Sequence, residues 1–173
     1  MVSKASIPPH VAKQRPMMGQ EWGVSRAGLD LTKDRLSEVF RVFDGSVVLL
    51  SAFMEITTAA SANVCNMSWV FDSDAGGDRV IGDDVSITSA ALGDFIWSEL
   101  DGTALVKSTT STGLPYGAYV RLISNGHGVV LTEGGIDIIM GSNALTTGVG
   151  EIHMVYRPLI EGACLVAEEM VET

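Results

Sequence analysis

The stretch DGSVVLLSAFMEITT (residues 44–58) decides the fold class of this chain. It opens with Asp44-Gly45, a dipeptide typical of tight turns between two strands. From Val48 to Ile56 apolar residues then occupy every second position, with more polar residues between several of them. A period of two is the spacing of a β-strand with one face in a core. The stretch therefore predicts a strand that follows a hairpin turn.

Two large apolar residues, Leu49 and Phe53, fall on the opposite face of this predicted strand. The outer face of a sandwich strand normally meets water, so a second apolar face predicts cover by another sheet or subunit. We therefore expect a homo-oligomer with Leu49 and Phe53 at the interface between subunits.

The residues before the turn, Leu31 to Phe43, fit two structures. Apolar side chains recur in this segment at helical spacing after Thr32, which could cap a helix. Alternatively, Glu38 to Phe43 forms a strand that leads into the turn. We favour the strand because the segment after the turn is itself a strand.

Further short strand patterns, separated by Gly-rich turns, follow along the chain. They cover residues 64–71, 85–88, 95–97, 104–107, 118–124, 128–132, 135–140, 150–156 and 164–167. The Asp- and Gly-rich residues 72–84 are predicted to be a loop, and residues 90–95 could form one helical turn. Strands at this spacing predict an all-β fold, a single β-sandwich or jelly-roll-like domain over residues 28–173.

Residues 1–27 are predicted to form an extended N-terminal arm, because Pro and Gly interrupt them and no periodicity is visible. Residues 1–41 carry seven basic and four acidic side chains, which gives this segment a net charge of +3. Because the whole chain has a net charge of −10, residues 42–173 have a net charge of −13. A basic segment on an acidic body suggests an arm that docks on a partner, although a solvated N-terminus fits as well. The residues expected to bind that partner are Lys4, Lys13, Arg15, Met17, Met18, Trp22 and Arg26.

The composition also limits the class of protein. Only 18% of residues are charged and the mean hydropathy is +0.28, which favours a chain that buries surface in an assembly. No apolar run is long enough to cross a membrane, and no apolar N-terminal stretch suggests a signal peptide. An acidic body also disfavours nucleic acid as a partner. We therefore expect a soluble protein that is made in the cytoplasm and has no nucleic-acid or membrane partners.

Residues that could carry chemistry are few. The three histidines lie far apart in sequence, and Cys65 and Cys164 have apolar neighbours typical of buried free thiols. Neither a phosphate-binding loop nor a nucleophile elbow occurs in the sequence. We therefore expect no enzymatic activity and no cofactor.

One acidic loop could hold a cation. Asp72, Asp74 and Asp78 supply oxygen ligands at alternating positions, as hard cations such as Ca²⁺ require. The fifth position is Gly76 and no bidentate Glu closes the loop, so a solvated turn fits better.

Three segments occur in the order EITTA (Glu55–Ala59), DVSITSAALGDFIW (Asp84–Trp97) and GEIHMVYRPLIEGACLVA (Gly150–Ala167). This order resembles small β-rich structural proteins of tailed-phage virions, over residues 30–168. The resemblance implies a capsid cement or decoration protein that binds the major capsid protein lattice as a trimer on the outer surface of the virion. It supplies no residue-level motif for that contact.

Two alternatives remain open at this point. The same sandwich could serve as a tail-tube, fibre or receptor-facing module of the particle. A Ca²⁺-dependent carbohydrate-binding domain would instead use the acidic loop together with Trp69 or Trp97.

Overall fold

The computed structural model describes residues 17–100, 102–108, 128–141 and 145–168. Within these ranges the chain forms β-strands joined by turns. The strands are β1 (Trp22–Asp30), β2 (Arg35–Phe43), β3 (Val47–Thr58), β4 (Asn66–Ser73), β5 (Asp78–Ser86), β6 (Phe95–Ser98), β7 (Val106–Lys107), β8 (Val129–Leu131), β9 (Gly134–Met140), β10 (Val149–Pro158) and β11 (Cys164–Ala167). The predicted strand at residues 118–124 lies outside the described residues. The described ranges contain no helix long and apolar enough to cross a membrane.

Two antiparallel sheets form the architecture. Sheet A has the order β1-β10-β3-β6-β7, and β8 pairs with the first residues of β3. Sheet B has the order β11-β2-β9-β4-β5. The prediction of an all-β sandwich is therefore confirmed.

The inward faces of the two sheets build one continuous core. The largest fully buried side chains come from both sheets, with Trp69 and Phe40 from sheet B and Met54 from sheet A. Burying a side chain of this size stabilises a fold by about 1.5–3 kcal/mol. A single core of this kind makes the described residues one domain.

The strand before Asp44-Gly45 is confirmed, but the hairpin is not. β2 pairs with β9 and β11 in sheet B, whereas β3 pairs with β10, β6 and β8 in sheet A. The turn thus carries the chain from one sheet to the other. Asp44 (φ 56°) and Gly45 (φ 131°) supply the left-handed backbone for this change of direction.

The predicted loop at residues 72–84 is mostly strand. β4 continues to Ser73 and β5 begins at Asp78, so only four residues form the turn. Gly76 and Gly77 both have positive φ, near 90°, which lets the chain reverse tightly. β5 is an edge strand, and most of its positions are exposed. Because exposed edge positions tolerate charged residues, the acidic sequence of β5 resembles that of a loop.

The N-terminal arm is shorter than predicted. Trp22 to Ala27 belong to β1, and Trp22 to Arg26 pair with β10, with Trp22 opposite Tyr156 and Val24 opposite Met154. Alternate residues of β1 are half-buried, but Arg26 is one of them, which hides the period of two in the sequence. The boundary predicted after residue 27 therefore falls inside a strand.

Candidate interaction surfaces

The prediction that Leu49 and Phe53 lie at an oligomer interface is wrong for Leu49. Leu49 is fully buried in the core of its own chain, as are Met54 and Ile56. Val155 pairs with Ser51 but the next residue, Tyr156, pairs with Leu49, so Leu50 is an extra residue of a bulge. The bulge changes which residues face inward, and a strict alternation cannot foresee it.

Phe53 does lie on the outer face of sheet A. Its ring stacks on His153 of β10, with 4.8 Å between ring centroids, and lies 6.3 Å from Phe95 of β6. The strand register places Trp97 beside Phe53 and Val106 beside Trp97. His153, Phe53, Trp97 and Val106 therefore form one row across four strands.

A second apolar surface lies at one end of the sandwich. Met17 and Met18 are 66% and 67% exposed, and Leu159 and Ile160 are 43% and 52% exposed. We call these four residues the apolar end. Contiguous exposed side chains of this size are typical of protein–protein contacts.

Backbone hydrogen bonds hold the two segments of the apolar end together. The amide of Gly19 donates to the carbonyl of Pro158 at 3.4 Å, and the amide of Leu159 donates to Ser46 at 3.0 Å. A β-carbon at Gly45 would lie 3.1 Å from Ile160 Cδ1, so Ile160 rests close against the β2–β3 turn. The apolar side chains are thus presented on tight turns.

Acidic residues border the apolar end. Asp44 and Glu161 are exposed and belong to the two turns that meet there. Glu21 accepts a hydrogen bond from Arg157 at 2.7 Å, and both side chains are more than 40% exposed. The border therefore presents the exposed carboxylates of Asp44 and Glu161 and one ion pair.

The residues predicted for the arm separate into three groups. Lys4, Lys13 and Arg15 lie outside the described residues, and Met17 and Met18 are exposed as expected for a docking segment. Trp22 packs against the core, and Arg26 donates to the carbonyl of Val39 at 3.1 Å. Trp22 and Arg26 thus hold β1 in its own chain, which corrects their assignment to the partner-binding arm.

Sequence reasoning missed Leu159 and Ile160. The signal was present, because two large apolar residues follow Pro158 and precede Gly162 in a segment that must turn. Apolar residues in a turn between strands often point to solvent, since the core is already closed by the strands on either side.

The opposite end of the sandwich also exposes apolar side chains. Val64 is 68% exposed and Leu92 is 64% exposed, and they lie in the β3–β4 and β5–β6 connections near the far end of β3. Val130 and Val106 are exposed on the outer face of sheet A. Exposed apolar side chains therefore occur on several separate surfaces.

The acidic turn between β4 and β5 is organised by an ion pair. Both oxygens of Asp74 accept hydrogen bonds from Arg41 Nη2, at 2.8 and 2.6 Å, and Arg41 Nη1 donates to Glu38. Asp72 and Asp78 lie opposite each other in the strand register. No group of three metal-binding side chains occurs in the described part of the chain. The geometry favours a turn tied to β2 through Arg41 rather than a calcium loop.

The two cysteines are buried and unbonded to each other. Burial raises the pKa of the Cys164 thiol to about 11 and also raises the pKa of the Cys65 thiol. A thiol with a raised pKa is a poor nucleophile at neutral pH. Both residues contribute to packing in this fold.

No protein-family model matches the sequence, and no curated protein sequence matches it. Among solved structures, a chain of the infectious bursal disease virus Gt strain is similar with a TM-score of 0.29 at 8% identity. A chain of the Gx strain of that virus is similar with a TM-score of 0.30 at 8% identity. The likeness covers 87% and 86% of this chain but 38% and 40% of those chains. The fold of this chain is defined by its strand pairing.

Proposed function

We propose that this chain is a non-enzymatic structural component of a tailed-phage virion. It acts as a cement or decoration protein, self-associates, and binds the outer surface of the capsid lattice. The observation that carries the proposal is the distribution of exposed apolar side chains. They occur at both ends of the sandwich and on the outer face of sheet A.

Several separate apolar surfaces suit a protein that touches more than one neighbour. A binding module for one small ligand concentrates its apolar contacts in one concave site. A lattice component instead makes several modest contacts, which act together when many copies bind one shell. The exposed Val64 and Leu92 at one end, and the apolar end at the other, match that requirement.

The segments that carry the sequence resemblance lie mostly in strands of the sandwich. Its three segments supply the ends of β3 and β5, most of β6, nearly all of β10 and all of β11. β10 and β6 flank β3 on its two sides in sheet A. The segments also reach β5 and β11, so the resemblance extends over strands of both sheets.

The test uses empty shells assembled from the major capsid protein encoded with this chain. The purified protein is mixed with the shells, and bound copies are counted after sedimentation. We expect saturation at a fixed number of copies per shell and a higher melting temperature of the decorated shells. Cryo-electron microscopy should then place the extra density on the outer surface.

Two results would contradict the proposal. One is the absence of saturable binding to the shells at micromolar protein. The other is density confined to the tail of complete particles, which would support the tail-module alternative. Bovine serum albumin at the same concentration serves as the control for nonspecific sedimentation.

A further inference from the structure

We infer that the apolar end binds the N-terminal segment, residues 1–16, of a second copy of this chain. The contact would be between subunits of the homo-oligomer. It goes beyond binding to a capsid and does not depend on it, since it can form in solution.

The first argument is the solvent exposure of the apolar end. Met17, Met18, Leu159 and Ile160 come from two segments and are all exposed by more than two fifths. Residues 1–16 contain Ile7 and Val11, apolar side chains that could cover them. When the two partners meet, their apolar side chains leave water, and this favours the contact.

The second argument is charge complementarity. Residues 1–16 carry Lys4, Lys13 and Arg15 and no acidic side chain. The apolar end is bordered by the exposed carboxylates of Asp44 and Glu161. Opposite charges around an apolar centre fix the register of a contact and speed its formation. The basic segment therefore has a matching surface on the body of the same protein.

The third argument concerns which copy supplies the segment. Residues 1–16 join the body at Met17, which is itself part of the apolar end. Pro16 fixes its own φ and biases Arg15 toward extended backbone, which disfavours a tight reversal onto the surface that contains Met17. Sixteen extended residues reach up to about 50 Å, far enough for a neighbouring subunit.

This arrangement gives a heterologous contact, in which the segment of one copy binds the end of the next. Contacts of this type close into rings when the rotation between copies allows it. A ring of three is compatible with the trimer that the sequence resemblance implies.

Sedimentation velocity of the full-length protein from about 1 to 100 µM tests the inference. The double variant Leu159→Ser/Ile160→Ser should weaken self-association by about tenfold or more. The matched control Val64→Ser/Leu92→Ser removes two similarly exposed side chains at the opposite end and should leave it unchanged. Circular dichroism and thermal melting establish that each variant is folded.

Charge variants supply a second, reversible test. Asp44→Asn/Glu161→Lys and Lys13→Glu/Arg15→Glu should each weaken self-association, more strongly at low salt. Asn retains the left-handed backbone that Asp44 adopts. Combining all four substitutions in one chain should restore much of the association, because the charges are again opposite.

Three results would overturn the inference. They are a monomeric wild-type protein over the whole concentration range, equal effects of the two apolar double variants, and no recovery in the four-fold charge variant. If the apolar-end variant keeps its oligomeric mass but no longer binds shells, the occupant is the capsid and not a second copy. Because mass is measured without shells, a failure of capsid binding leaves this result intact.

Discussion

The guanidinium of Arg35 in β2 binds the carboxylate of Asp137 in β9, and this pair fixes a bulge in β2. Arg35 Nε lies 2.9 Å from Asp137 Oδ2, and Nη2 donates to the same oxygen. The other oxygen accepts the amide of Glu38 at 2.7 Å, where φ is 48° and the register shifts. The Asp137 side chain is 3% exposed and that of Arg35 is 51% exposed. One buried carboxylate therefore holds both the neighbouring strand and its irregular residue.

Substituting Arg35 should lower the free energy of unfolding more than substituting Asp137. Arg35→Ala leaves a buried carboxylate without its counter-charge, and we expect a loss of about 3 kcal/mol of unfolding free energy. Asp137→Asn returns Arg35 to water and can still accept the Glu38 amide, so we expect a loss of about 1–2 kcal/mol. Urea unfolding of both variants measures the difference. Equal losses would contradict the role assigned to burial.

The sequence predicted strands better than it predicted their partners. The bounds of β11 match the prediction at Cys164–Ala167, because a short apolar run between a Gly-containing turn and two glutamates has few other solutions. The Asp44-Gly45 signal specified a change of direction but not the sheet that the next strand joins. At Leu49, both faces of β3 are apolar, so the local pattern could not show where the bulge lies. Pairing and register depend on distant residues, which local periodicity does not encode.

Gly134 at the start of β9 should tolerate no side chain. A β-carbon there would overlap the carbonyl oxygen of Asp72 and lie 2.9 Å from Ser73 Cα, both of which are backbone atoms of β4. We expect Gly134→Ala to lower the unfolding free energy by more than about 2 kcal/mol. Gly76→Ala is the control, because its φ is also positive but no atom lies within 4 Å. A loss for Gly134→Ala no larger than for Gly76→Ala would show that β4 can move aside.

Stability should fall at alkaline pH because of Cys164 and Tyr156. Burial raises the pKa of Cys164 from 9.0 to about 11, and that of Tyr156 from 10.0 to about 12. The folded state thus disfavours the ionised forms, which the unfolded chain adopts more readily. The stabilisation is complete below about pH 9 and is lost as pH rises toward about 11 for the thiol and about 12 for the hydroxyl.

Unfolding by urea at about pH 8, 9.5 and 11 measures this decline. The variant Cys164→Ala removes one of the two groups, so its stability should fall less steeply between about pH 9 and 11. A slope identical to that of the wild type would mean that the thiol does not contribute.

Leu49 and Phe53 should behave differently, although both were expected at the oligomer interface. Leu49 is fully buried, and Leu49→Ala should cost about 2–5 kcal/mol of unfolding free energy. Phe53 is on the outer face, and Phe53→Ala should lose chiefly the stack on His153, about 0.5–1.5 kcal/mol. Thermal and urea unfolding of the two variants compares them directly. A larger loss for Phe53→Ala would show that its ring is part of the core.

Two truncations should show where the N-terminal segment ends and the sandwich begins. Deleting residues 2–16 removes nothing from β1, so we expect a folded protein with nearly the wild-type melting temperature. Deleting residues 2–27 removes six of the nine residues of β1, including Trp22 and Val24, and with them the cover over one edge of β10.

The longer truncation exposes unpaired backbone groups of β10 and the core side chains beneath Trp22. We expect it to lose several kcal/mol of stability and to aggregate, which thermal melting and light scattering would both detect. Deleting residues 2–21 is the control that places the boundary, since it removes Met17 and Met18 but keeps β1 whole. If the chain without residues 2–27 melts like the chain without residues 2–16, β1 is dispensable. Docking would then involve the whole of residues 1–27, as the sequence alone suggested.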